Sequence, residues 1–119
     1  MKFTYRPGTP EEVVANLHRL RGRAGSGARM LNRAGRPLAG RDVEAEAEAL
    51  KDAGATIGHI YKHGFPAATP HEQAMDEALA AARAHGRPLS AEIVQTPEHE
   101  AAGEFLVKVL LLGGEVPRT

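Results

Sequence analysis

Residues 96–112, Thr-Pro-Glu-His-Glu-Ala-Ala-Gly-Glu-Phe-Leu-Val-Lys-Val-Leu-Leu-Leu, decide between two folds. Thr96-Pro97 is a helix start: the Thr hydroxyl accepts an orphan N–H, and Pro97 loses nothing at the first helical position. Glu98 and Glu100 favour the positive end of the helix dipole. Read this way, the segment is a helix to Leu112 closed by Gly113-Gly114. Gly103 followed by Phe105, Val107 and Val109 reads differently, as a strand paired with residues 91–96. The helix is the reading adopted, and either way the segment is apolar on nearly all sides and belongs in the centre of the core.

The same start signal occurs twice more, as Thr9-Pro10-Glu11-Glu12 and Thr69-Pro70-His71-Glu72, each with Glu in the capping-box position. The first predicts a helix from Pro10 to about Arg23 with Val13, Leu17, Leu20 and Ala24 inward. The second predicts a helix from Pro70 to about His85 with Met75, Ala78, Leu79 and Ala82 inward. Between them, Val43, Ala47, Leu50, Gly54, Ile57 and Tyr61 alternate at spacings of four and three, which predicts one long helix capped by Asp42. Ile57, Ile60 and Tyr61 do not alternate as a strand would, so a continuous or kinked helix is favoured through 55–63. Residues 2–6 alternate like an edge strand, and 89–95 can form another. The fold expected is therefore mainly α, three to four helices with minor β. The alternative is α+β with a C-terminal hairpin. One domain spanning 1–119 is expected, with an Arg/Gly-rich loop at about 22–41.

With no Trp and 4% aromatic residues, the core must be built from Leu, Val, Ile and Ala, with Phe3, Phe65 and Phe105 as large anchors. The absence of cysteine excludes disulfides, Cys-based zinc sites and thiol nucleophiles. No apolar run resembles a signal peptide or approaches the roughly 20 residues needed to span a bilayer. A soluble chain, intracellular or within an assembled particle, is expected.

Charge is the most unusual property. Residues 13–41 carry seven arginines (Arg19, Arg21, Arg23, Arg29, Arg33, Arg36 and Arg41) and no acid. Residues 1–41 hold nine basic against two acidic residues, a net of +7, and residues 42–119 hold six against thirteen, a net of −7. Segregated charge speaks to partners and assembly. Guanidinium groups on a Gly-rich backbone suit carboxylates or phosphates. No aromatic side chain is interleaved for base stacking, which favours an acidic protein surface over nucleic acid. Asp42, Glu44, Glu46, Glu48 and Asp52 form the natural counter-surface, within one molecule or between copies. These carboxylates fan around a helix and do not converge for acid–base chemistry.

Other motifs are weaker. Gly25-Ser26-Gly27 lacks the rest of a phosphate-binding loop. His59 and His63, four apart, would share a helical face and with His71 could hold a metal, although no His-Glu-x-x-His motif or general base accompanies them. The function expected is a non-enzymatic structural or assembly protein in a homo- or hetero-oligomer, for example a viral-particle or connector component, needing no cofactor. The alternatives are a nucleic-acid-binding module using the arginines and a small metal-dependent enzyme.

Overall fold

A computed structural model of the protein describes residues 2–5, 8–23 and 26–113. Residues 97–112 turn out to be both helix and strand. Thr96 does cap a helix, its Oγ1 accepting from the His99 N–H at 3.2 Å, but α4 covers only Pro97–Ala101. (Helices are α1 Pro10–Arg21, α2 Val43–Asp52, α3 His71–Arg83 and α4; strands are β1 Lys2–Tyr5, β2 Ala28–Met30, β3 Ile57–Pro66, β4 Pro88–Val94 and β5 Glu104–Leu112.) Gly103, at φ 71°, ends α4 in the left-handed conformation that glycine adopts without penalty, and β5 follows.

The expectation of a mainly α fold is thereby corrected. The molecule is α+β, with one antiparallel sheet of order β1-β3-β5-β4-β2. The expected long helix also fails, and the reason is local. Val43, Ala47 and Leu50 form the buried face of α2 as read, but Gly54 takes φ 69° and closes the helix. The Gly54 N–H bonds to Lys51 O at 3.0 Å and the Ala55 N–H to Leu50 O at 2.9 Å, a Schellman closure. Ile57, Ile60 and Tyr61 then lie in β3. Their missing alternation comes from a register shift between Ile57 and His59 in the pairing with β5, which puts Ile57 and Ile60 in the same cluster.

The sheet is the middle of three layers. α3 covers one face: Ala74, Met75, Ala78, Leu79 and Ala82 pack on Phe105, Val107, Val109, Leu111, Tyr61 and Phe65. The rings of Phe65 and Phe105 stack with centroids 5.8 Å apart, and Phe3 stands opposite Tyr61 in the register. α1 and α2 cover the other face, where Val13, Leu17, Leu20, Val43, Ala47 and Leu50 meet Met30, Ile57, Ile60 and Leu110. From Val109 to Leu111 β5 is buried on both faces and reads as an unbroken apolar run, which is why it resembled a buried helix.

α1 starts as read, with the Glu12 N–H bonded to Thr9 Oγ1 at 3.2 Å. α3 does not: its N-cap is Pro70, with no side-chain capping bond. Within the stretch expected as an Arg/Gly loop, Ala28–Met30 pairs with β4 as an edge strand. Leu31 bridges Pro37, closing a turn in which Asn32 Oδ1 accepts from the Ala34 and Arg36 N–H groups. Arg6, Ala24, Gly25 and Gly114, which those readings included, lie outside the described residues. Among the described residues no helix is long and apolar enough to cross a membrane.

Candidate functional site

The seven arginines divide by partner. α1 directs Arg19 across the sheet, where Nη1 and Nη2 fork onto Glu92 of β4 at 2.6 and 3.1 Å. Arg23 adds a bond to Glu92 Oε2 at 2.6 Å and another to the Ile93 carbonyl at 3.2 Å. Arg19 also donates to Asn16 Oδ1, and Asn16 donates to Ser90 Oγ, so a polar chain ties α1 to β4. The Glu92 side chain is only 10% exposed. Burial raises its pKa, but the Arg19 hydrogen bonds and the charges of Arg19, Arg23 and Lys108 outweigh it and hold the carboxyl below its ordinary value. The same pairing raises Arg19. An ionised carboxylate saturated by two guanidinium groups is an anchor for the fold and a poor proton donor.

Arg29, on the opposite face of the sheet, bonds Glu72 and Asp76 of α3. Arg33 reaches α2: its N–H bonds Glu46 Oε2 at 2.8 Å and its Nε lies 3.4 Å from the same oxygen. Arg21 and His18 both lie 3.4 Å from Glu44, and Arg41 lies 3.9 Å from Asp42. Two of the five acidic residues of the expected counter-surface, Glu44 and Glu46, thus meet arginines of more distant segments inside the molecule. Asp42 meets only its neighbour, and Glu48 and Asp52 have no ion pair among the described residues. The shortest pairs use Glu92, Glu72 and Asp76, none of which sequence reasoning set against the arginines, because nothing local marks an acid on β4 as facing α1 or one on α3 as facing β2.

Charges without an ion pair among the described residues include Glu48, Asp52 and Lys62, and two sets of them lie at the two ends of β4. At its Pro88 end, Arg33, Arg83 and Arg87 line an open pocket with Gly35 and Gly86, and no carboxylate of the described residues is in that lining. Arg36 lies in the adjoining turn. Arg36, Arg83 and Arg87 are exposed and have no ion pair among the described residues. Beyond the other end, after about 20 Å of strand, α4 and the start of β5 present Glu98, Glu100 and Glu104. All three are exposed and likewise without an ion pair among the described residues. Arg83 and Arg87 were missed because they lie outside the arginine run. Their only sequence signal was position, Arg83 just before and Arg87 within the Gly86–Pro88 stop of α3.

The histidines do not converge. In a strand His59 and His63 stand about 13 Å apart along the chain, so the helical spacing that would have paired them does not exist. His59 is 2% exposed on β3, and burial lowers its pKa. His63 accepts or donates at 3.0 Å to the Tyr61 hydroxyl and stacks on Phe65, while His71 meets the edge of Phe105. Among the described residues no group of three metal-ligating side chains is close enough to hold an ion.

Comparison with known proteins adds no further constraint: no family model matches the chain, and no curated protein or solved structure is significantly similar to it.

Proposed function

We propose that this protein is a non-enzymatic assembly subunit that joins its neighbours head to tail, the arginine end of one copy on the carboxylate end of the next. The observation that carries this reading is the distribution of leftover charge. Most arginines of the run are paired with acids of the same molecule, while Arg36, Arg83 and Arg87 at one end and Glu98, Glu100 and Glu104 at the other have no ion pair among the described residues. Unlike surfaces at opposite ends make a heterologous contact, which propagates into a closed ring or an open filament according to the rotation per step. Phosphates would also suit the guanidinium groups. The pocket lining offers no aromatic ring for a base to stack on, which favours carboxylates of a protein surface.

The test is light scattering after size exclusion at about 0.05 M and about 0.5 M salt, where the Debye length falls from near 14 Å to near 4 Å. Assembly at low salt that dissolves at high salt is expected. Arg83→Glu with Arg87→Glu should abolish it. Mixing that variant with Glu98→Arg/Glu100→Arg should restore a limited contact. A monomer at low salt, or oligomers indifferent to the charge reversal, would overturn the reading. Co-elution with nucleic acid, seen in the ratio of ultraviolet absorbances, would replace it with the polyanion alternative.

A further inference from the structure

We infer that the half of the sheet left open beside α1 is a binding groove for a small organic anion with an apolar tail. α1 and α2 cover only one end of their face of the sheet. The uncovered part forms a groove of about 430 Å³ whose walls include Arg19, Lys62, Glu92, Val94, Leu106 and Lys108.

Two observations point to the charge of its occupant. The first is the cross-strand register. Lys62 stands directly opposite Lys108, and Lys2 directly opposite Lys62. Eleven of the fifteen basic residues are arginine, yet lysines stand opposite each other here. Like charges directly opposite each other destabilise a sheet. Glu92, opposite Lys108 on β4, offsets part of that repulsion, and a bound anion would turn the rest into attraction for both Lys62 and Lys108. The second is that Glu92, the one carboxylate among the described lining residues, already bonds Arg19 and Arg23, so the cations around it outnumber it. Lys62 is exposed and has no ion pair among the described residues.

The apolar half comes from Val94 and Leu106, which stand opposite each other one pair along from Glu92 and Lys108 on the same face. Both are half-buried although they sit on central strands. A ligand with an oxyanion head near Lys62 and Lys108 and a short hydrocarbon body over Val94 and Leu106 would fill charge and surface together.

Isothermal titration with octanoate tests this, with acetate and octylamine as probes of the tail and of the charge. Saturable binding of one octanoate is expected, with acetate and octylamine at least tenfold weaker. Lys62→Glu turns a like-charge pair into an opposite-charge pair, so it should fold at least as well while weakening octanoate at least tenfold. Leu106→Trp should fill the groove and block binding with the charges intact. No saturable binding of octanoate, acetate or octylamine matching it, or octanoate binding unchanged in both variants would overturn the inference. All measurements are made at about 0.5 M salt, where the proposed subunit contact is screened, so failure here and failure of assembly are separable.

Discussion

The molecule uses arginine in two ways, and the contrast between Arg19 and Arg23 on one side and Arg83 and Arg87 on the other shows what decides between them. All four are long, partly exposed side chains. Arg19 and Arg23 sit beside a carboxylate that the fold has already removed from water, so each contact to Glu92 satisfies a buried charge. Arg83 and Arg87 close a helix and precede a strand at the rim, where no acid of the described residues shares their pocket. Stability is therefore concentrated in the first pair, and the capacity to meet another molecule in the second. A guanidinium group's role here follows from the burial of its partner.

Glu92→Gln attacks the first pair and carries the largest expected effect. It keeps the shape but leaves two guanidinium groups facing a neutral amide, and should cost about 2–3 kcal/mol in denaturant unfolding, at or below the range for fully buried pairs because both arginines remain partly exposed. A cost below about 0.5 kcal/mol would reduce these contacts to surface decoration. The pH dependence follows from the same pair. The folded-state pKa of Glu92 lies below its unfolded value, so its stabilisation is complete above the ordinary carboxylate pKa of about 4.3 and is lost as pH falls through the lower folded value. His59, whose pKa burial lowers, contributes an earlier loss as pH falls below about 6.5, because the unfolded chain binds that proton more readily. Glu92→Gln should remove the lower part of the acid limb and leave the upper part, as measured by unfolding at a series of pH values.

The starts of α1 and α4 were legible in the sequence, and the ends of α1 and α3 to within two residues, but the ends of α2 and α4 were not. Thr9 and Thr96 cap as their hydroxyls suggested, because capping is a matter of three or four residues. The ends of α2 and α4 depended on Gly54 and Gly103, each compatible with a continuing helix until the pull of the sheet is known. β3 hid behind its bulge and β5 behind the burial of its second half on both faces, so the antiparallel sheet could be entertained but not preferred. The arginine run announced an electrostatic role. Its division into anchors and leftovers depended on Glu92, Glu72 and Asp76 lying 43 to 73 residues away, a separation that only the folded chain closes. The lysine file was invisible for the same reason, since Lys2, Lys62 and Lys108 become neighbours only through strand register.

Arg29 lies between the two uses and sharpens the contrast. Its side chain is 26% exposed, but Glu72 and Asp76 are 64% and 67% exposed. If partner burial sets the contribution, Arg29→Ala should cost roughly 1 kcal/mol, less than Glu92→Gln although each group meets two charged partners. That cost should shrink in high salt, whereas the Glu92 effect persists. An Arg29 effect equal to or larger than that of Glu92 would show that partner burial does not govern these arginines.

The smallest effect on stability belongs to Arg83→Gln with Arg87→Gln. Neither side chain has an ion pair among the described residues, so removing both charges should shift the unfolding free energy by no more than about 0.5 kcal/mol. A slight gain is as reasonable as a slight loss, since the two cations share one pocket with Arg33 and repel each other there. The same variant should nonetheless lose low-salt assembly, because the contact it removes lies outside the monomer. Destabilisation of 2 kcal/mol or more, on the order of a buried pair, would mean that these arginines are anchors as well, and the division by partner burial would fail at the end where it predicts least.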